Sequence, residues 1–500
     1  MHSNTTGAMP RLWPALIACV IVSAPTPVLA QDRSTWADPL EAFIEEIADR
    51  FTVPGLTVAV TQGREVVYAG AFGVRNIETG ESMRTEYLFH FASVSKPFVA
   101  TAIVQLHERG KIDLDAPVTA YLPYFELDDP RHADITIRQM LNHTSGMPDV
   151  LDYEWDKPQT DEGAAERYVR SLSDERMIFS PGEDFRYSNM AFDVLGDVIA
   201  KVSGVPFETY VKVNILDPLG MTESTFIYPE TREAIRTTPH VWNLGPAVSQ
   251  VYPYNRPHAP SSTLNSSVDE MTLWARANLA GGEWNGQRIL APESYDLLWS
   301  PSVDIGGNQA VGLSWFLGQR NGERTISHSG GDTGYRSFII LMPERDMAVI
   351  AASNYQETPM GAVALGVVDI VAGREPQIPR RPAGFVFAEV LERDGLEAAK
   401  SEYRRLQADE ARSYAFGARQ LNRIGYAYLG REEPEEAVEV FLFNVELYPE
   451  VANGYDSLGD GYRAQGDIES AIASYRRALE IDPEFEASRN NLRELGALDE

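Results

Sequence analysis

Three short segments of this 500-residue chain carry side chains that could perform acyl transfer together: Ser93-Val94-Ser95-Lys96, Tyr187-Ser188-Asn189 and His328-Ser329-Gly330-Gly331. A serine hydroxyl is a poor nucleophile until a neighbouring base takes its proton. Lysines stand at 96, 111, 157, 201, 212 and 400, and Lys96 alone has a serine three residues before it. With serine at roughly 7% abundance, chance alone gives about 0.4 such spacings in a chain with this many lysines. The motif therefore draws its weight from the other two segments.

The elements that must position these groups can be read from the flanks. After Pro97, residues 98–106 are helix-compatible and largely apolar, and Gly110 closes the run. Proline is tolerated in a first helical turn, which places Ser93 at a helix N-terminus with Lys96 on the same face. To act as a base near neutrality, Lys96 must move from a pKa of about 10.4 to about 7, a bias of roughly 4.6 kcal/mol against the ammonium. The helix dipole and the apolar neighbours Phe89, Phe91, Val94 and Phe98 could supply it. Tyr187 offers a second base or a proton relay, its phenol lowered by a nearby ammonium, and the pair would titrate as a coupled unit.

Each segment also has an ordinary use. A serine and a lysine at a helix start serve as a cap and a solvated charge. Tyr187-Ser188-Asn189 after Ser180-Pro181-Gly182 would form a turn into a helix over 191–202, and His328 before two glycines would form a strand end. The ordered coincidence of all three favours the chemical reading.

With these motifs the chain resembles the serine β-lactamase and penicillin-binding-protein superfamily, in particular the class C β-lactamase-like branch that includes D-alanyl carboxypeptidases, D-amino-acid peptidases and esterases. The resemblance extends to Leu141-Asn142-His143-Thr144-Ser145-Gly146-Met147, Phe179-Ser180-Pro181-Gly182, Leu264-Asn265-Ser266-Ser267-Val268-Asp269-Glu270-Met271, and Gly334-Tyr335 with the strand pair after it. It spans residues 38–373. It implies Ser93 as the acylated nucleophile, Lys96 and Tyr187 as the acid/base pair, and Asn189 as the group orienting the substrate amide or the Lys96 amine. It also implies an oxyanion hole from the backbone N–H groups of Ser93 and Gly331. His328, Gly330 and Gly331 line the substrate side of this site, and His143 is structural. Dedicated β-lactamases carry Lys-Thr-Gly where this chain has His328-Ser329-Gly330. The lost cation argues against β-lactam turnover and for an ester or small-amide substrate. No class A type glutamate motif is present.

Other hydrolase signatures are missing from the sequence. It contains no G-x-S-x-G elbow, no H-E-x-x-H and no cysteine cluster, so neither an α/β-hydrolase nor a metal site is expected, and no cofactor is implied.

Patterning predicts a helix over 39–50, a hairpin of strands over 56–62 and 65–74, a second strand pair over 335–342 and 347–353, and a closing helix over 361–372. Strands from both ends of the segment flank a mostly helical middle. The expected fold class is α+β: a three-layer sandwich, an antiparallel sheet flanked by helices, followed by an all-α tetratricopeptide repeat domain. A Pro-rich linker is placed at 374–384 and the repeats at 385–500. Gly425/Gly459, Tyr428/Tyr462, Ala437/Ala471, Phe441/Tyr475 and Pro449/Pro483 are each 34 residues apart, the tetratricopeptide period. A degenerate unit around Leu396–Tyr403 precedes them, and a capping helix is expected over 485–495. A solenoid of this kind presents a concave surface suited to a peptide or protein partner, or serves as a helical spacer.

Residues 1–30 read as a secretory signal peptide, with Arg11, an apolar run over 12–22, and Val28-Leu29-Ala30 before Gln31. The expected location is periplasmic or secreted. Cys19, the only cysteine, lies in this segment, where Leu16-Ile17-Ala18-Cys19 also resembles a lipoprotein signal. No second apolar run approaches the about 20 residues of a membrane span. The formal charge of −30 disfavours nucleic acid and anionic membranes as partners. Two functional readings follow. One is an exported serine hydrolase acting through an acyl-enzyme on Ser93. The other is a catalytically idle body whose repeats do the binding. Intact Ser93, Lys96 and Tyr187 favour the first.

Overall fold

The computed structural model describes residues 35–409 and 412–498. The expected signal peptide and Cys19 lie outside them.

A nine-stranded antiparallel sheet organises the chain. Its strands are β1 (Gly55–Gln62), β2 (Glu65–Asn76), β3 (Glu81–Ser82), β4 (Val303–Gly306), β5 (Gln309–Val311), β6 (Phe316–Arg320), β7 (Glu323–Asp332), β8 (Tyr335–Met342) and β9 (Met347–Ser353). Their spatial order is β4-β5-β6-β7-β8-β9-β1-β2-β3, so β9 from the far end of the segment pairs with β1, with Val58 opposite Ala351. The two hairpins read from the sequence form the centre of this sheet.

Two-residue periodicity explains the layering. Ala348, Ile350 and Ala352 of β9 face one apolar core, with Ile339 and Leu341 of β8. Met347, Val349 and Ala351 face the other, with Ile340 and Met342. The first core is covered by α2 (Lys96–Glu108), α3 (Asn189–Ser203) and α4 (Val268–Leu279), and the second by α1 (Ala37–Phe51) and α5 (Met360–Val371). A strand covered on both faces is buried along its length, as β1 is from Gly55 to Thr61.

The C-terminal helices are α6 (Ala383–Asp394), α7 (Leu396–Asp409), α8 (Ala418–Gly430), α9 (Pro434–Leu447), α10 (Ala452–Gln465), α11 (Ile468–Ile481) and α12 (Glu486–Glu494). The repeat period has a packing cause: a Cβ on Gly425 would meet the Phe441 ring at 2.3 Å, and one on Gly459 would meet the Tyr475 ring at 2.4 Å. Small residues on one helix of each pair admit the large ring of the next.

Helix α6 begins at Ala383, within the stretch assigned to a linker, and packs at once on the sheet body. The Phe385 ring lies 6.4 Å from Phe51 and stacks 5.7 Å from Trp242. Arg423 of α8 bonds Glu357 at 2.6 Å and covers the Trp242 ring. Phe385, Phe387, Leu421 and Phe441 share one apolar core with α1, α5 and the sheet. Among the described residues, no helix is long and apolar enough to cross a membrane.

Candidate active site

Ser93 stands at a backbone turn built from both sides of the sequence. Ala92 before it has φ +49° and ψ −131°, a conformation costing an alanine about 1–3 kcal/mol. Ser93–Ser95 form a 3-10 turn and α2 starts at Lys96, so serine and lysine do not share one α-helix as expected. The tighter turn still brings Lys96 Nζ to 3.1 Å from Ser93 Oγ. The backbone N–H of Ser93 opens this turn and has no intrahelical acceptor.

Strands β7 and β8 fix that turn together. The Phe91 carbonyl accepts the Ser337 hydroxyl at 2.6 Å, and a Cβ on Gly330 would sit 2.1 Å from the same carbonyl oxygen. Glycine at 330 is therefore a condition of the strand lying against the segment that leads into Ser93. The pairing of β7 with β6 ends at Ser327 opposite Phe316, so β7 runs on from His328 to Asp332 with β8 on one side only.

Lys96 is fully buried and has three acceptors: Ser93 Oγ, Asn189 Oδ1 at 2.5 Å and the Ser261 carbonyl at 2.7 Å. Burial pulls its pKa down to about 8, with the carboxylates of Asp193, Asp332 and Asp149 opposing. As an ammonium it donates to all three. Once neutral it keeps two N–H bonds, for Asn189 and Ser261, and its lone pair meets the Ser93 hydroxyl. That is the arrangement a general base requires.

Tyr187 departs from expectation. Burial pushes its phenol well above the ordinary range, against the opposing effect of a hydrogen bond with Ser93. Lys96 Nζ lies 5.0 Å from the centroid of its ring, so the amine sits over the ring face and does not lower the phenol. The phenol stays protonated at neutral pH. His143, at φ +61°, stacks beneath this ring at 4.3 Å and accepts the Ser188 N–H on Nδ1 at 3.2 Å. Burial, with Lys96 adding to it, holds His143 neutral.

Of the two roles open for Asn189, the structure occupies the one toward the Lys96 amine. Its Nδ2 and backbone N–H both donate to Asp149, at 3.0 and 2.7 Å to Oδ1, which turns Oδ1 of the amide to Lys96. Asp149 escaped the sequence reading although it lies only two residues beyond the Leu141–Met147 segment. Asp193 was also missed. It sits one helical turn past Asn189 on α3, is buried, and pairs with His258 Nδ1 at 2.7 Å. The Ser261 hydroxyl donates to the His258 carbonyl at 3.2 Å, so this pair braces the residue whose carbonyl holds Lys96. The spacing Asn189/Asp193 was a usable signal, but nothing near His258 or Ser261 marked them.

His328 Nδ1–H donates to the Ser329 carbonyl at 2.7 Å, and the side chain is 1% exposed. Burial brings its pKa down to about 3, helped by Lys96, so the position carries no cation at neutral pH. Its ring meets Phe316 edge-on, and Phe316 lies over Tyr187. Gly331 is exposed and pairs opposite Arg336, whose guanidinium covers it. Asp332 at the strand end bonds His90 at 2.8 Å and accepts the Ser262 hydroxyl. The structure thus gathers Ser93, Lys96, Tyr187 and Asn189 around one point, while His328 and Gly330 support them from inside the sheet.

The family described as Beta-lactamase matches residues 40–372, and that described as TPR repeat matches residues 459–492. Protein flp of Staphylococcus aureus (strain COL) is 25% identical over 319 residues, 63% of this chain, and the chain spans 62% of the length of that relative. Penicillin-binding protein 4* of Bacillus subtilis (strain 168) is 26% identical over 371 residues, 69% of this chain and 78% of the relative. Among solved structures, the octameric penicillin-binding protein homologue from Pyrococcus abyssi superposes with a TM-score of 0.61 at 25% identity, over 71% of this chain and 81% of that one. EstCE1, a hydrolase with promiscuous acyltransferase activity, shares the fold with a TM-score of 0.57 at 23% identity, over 68% of this chain and 99% of that one. On its matched length and its site, this chain belongs to the beta-lactamase family and carries a C-terminal TPR repeat.

Proposed function

We propose that the chain is an exported serine hydrolase that cleaves an ester or small amide through an acyl-enzyme on Ser93. The observation that carries this reading is Lys96, desolvated and held by Asn189 and Ser261, with its remaining valence on Ser93 Oγ. In acylation, Ser93 Oγ attacks the substrate carbonyl carbon as its proton passes to Lys96. The resulting oxyanion is held by the N–H groups of Ser93 and Gly331. As the tetrahedral adduct collapses, the leaving alcohol or amine takes a proton through Tyr187, whose neutral phenol suits a donor better than a base. Water then attacks the ester on Ser93 by the reverse route.

The neutral, buried His328 supplies no charge for a substrate carboxylate, which favours an esterase or a peptidase for small D-amino-acid amides over a β-lactamase. Residues 38–373 are assigned to the hydrolase and 385–500 to the repeats, which offer a surface for a protein or peptide partner. Export rests on the signal at 1–30 in the sequence.

The test is the pre-steady-state release of p-nitrophenol from a short-chain p-nitrophenyl ester. A burst near one equivalent, abolished by Ser93→Ala, is expected; equal slow release from both proteins would overturn the acyl-enzyme.

A further inference from the structure

An open cleft of about 500 Å³ is walled by Trp155 and Pro158 on one side and by Tyr228, Val251, Tyr252 and Tyr254 on the other, and its walls touch His258 and His90, the partners of Asp193 and Asp332. Resting on the Ser93 reading above, we propose that this cleft is a subsite for a neutral aromatic group of the substrate.

Both walls end on the residues that hold the catalytic groups. Trp155 stacks on Tyr153 at 4.6 Å and meets His258 edge-on at 5.8 Å. His258 pairs with Asp193, and its carbonyl accepts the Ser261 hydroxyl. Tyr153 itself meets His258 edge-on at 4.9 Å, so the two stacked rings of this wall both rest on the partner of Asp193. On the opposite wall Tyr228 and Tyr252 stack at 3.5 Å. The Tyr252 hydroxyl donates to Asn265, which pairs with His90 two residues before Ala92. The His90 ring lies 6.0 Å from Tyr252 and bonds Asp332.

The cleft is pre-formed. Asn255 donates to the Tyr153 carbonyl at 2.9 Å and accepts the Gln159 N–H at 2.8 Å, tying the two walls together. Arg256 beside it is held by buried Glu208 at 2.9 Å. A ring entering such a site loses little to reorganisation. A cavity of about 150 Å³ accommodates benzene, so a ring and its connecting atoms fit.

The lining also selects the class of ligand. Its one charged side chain is Asp156, so a substrate carboxylate finds no cation there. Stacked tyrosines and an indole offer π faces for offset or edge contact with a ring. The Tyr254 hydroxyl is buried without a partner, and burial pushes its pKa up to about 12, so it remains a donor for a neutral oxygen on the ring.

The proposal is tested by two readouts. The first is the ratio of kcat/KM for p-nitrophenyl phenylacetate to that for p-nitrophenyl acetate. It should exceed about tenfold in the native protein and fall toward one in Trp155→Ala and in Tyr228→Ala, each checked for folding by its thermal midpoint. A ratio unchanged in both folded variants overturns the subsite. The second uses the Ser93→Ala protein, with binding of N-benzylacetamide followed by saturation-transfer NMR. Loss of that binding when Trp155→Ala is added supports the subsite even if Ser93 proves not to be acylated, and equal or absent binding overturns it.

Discussion

Asn189 Oδ1 lies 2.5 Å from Lys96 Nζ, and Asp149 fixes the amide in that orientation from the other end. An uncharged acceptor here leaves the amine free to lose its proton. A carboxylate in the same place would not. Asn189→Asp should raise the midpoint of the pH–acylation profile from about 8 by about one unit or more. Because Lys96 must be neutral to accept the Ser93 proton, activity rises with pH through that midpoint. The variant should therefore be about tenfold slower than the native protein at pH 7. An unmoved midpoint would remove Lys96 from the role of base.

Among the carboxylates that oppose the lowering of the Lys96 pKa, Asp193 acts most strongly, ahead of Asp332 and Asp149. Replacing it with asparagine, which keeps the shape and removes the charge, should move the acid limb of the same profile downward by about one unit. A lower plateau with the limb in place would confine Asp193 to bracing His258 and Ser261.

Gly330→Ala would put a methyl group 2.1 Å from the Phe91 carbonyl oxygen, with the Ser337 hydroxyl at 2.3 Å. Neither the strand nor the turn at Ser93 can give way cheaply. A loss of about 1–3 kcal/mol in stability is expected, read as a lower unfolding midpoint, together with loss of the p-nitrophenol burst. A fully active Gly330→Ala protein of native stability would contradict the close approach.

Phe385 belongs to the repeats by sequence and to the sheet body by packing. Its truncation to alanine empties space between Phe51 and Trp242 and should cost about 3–5 kcal/mol. Calorimetry should show the sheet body and the first repeat helices losing stability together. Two separate transitions, with the sheet body unaffected, would mean that the shared core is dispensable.

Much of this protein is legible in one dimension. The hairpins around Gly63 and Pro343, the flanking helices and the 34-residue repeat announce themselves because their causes are local: alternation along a strand, apolar spacing on a helix, a small residue facing a large one. The residues that meet around Lys96, namely Ser93, Tyr187 and Asn189, could be picked out beforehand because acyl-transfer chemistry demands particular residue types in short, ordered motifs. Asp149, Asp193 and the His258–Ser261 segment were not picked out, since they reach the Lys96 group through space from separate stretches of chain, and only the helical spacing of Asp193 from Asn189 left a signal in the sequence. The protonation of Tyr187 and His328 was equally out of reach, because burial sets it and burial is a property of the packed chain. The union of the repeats with the body lay hidden for the same reason: the proline-rich stretch reads as a linker, while the apolar faces of Phe385 and Trp242 meet only when two distant segments fold together.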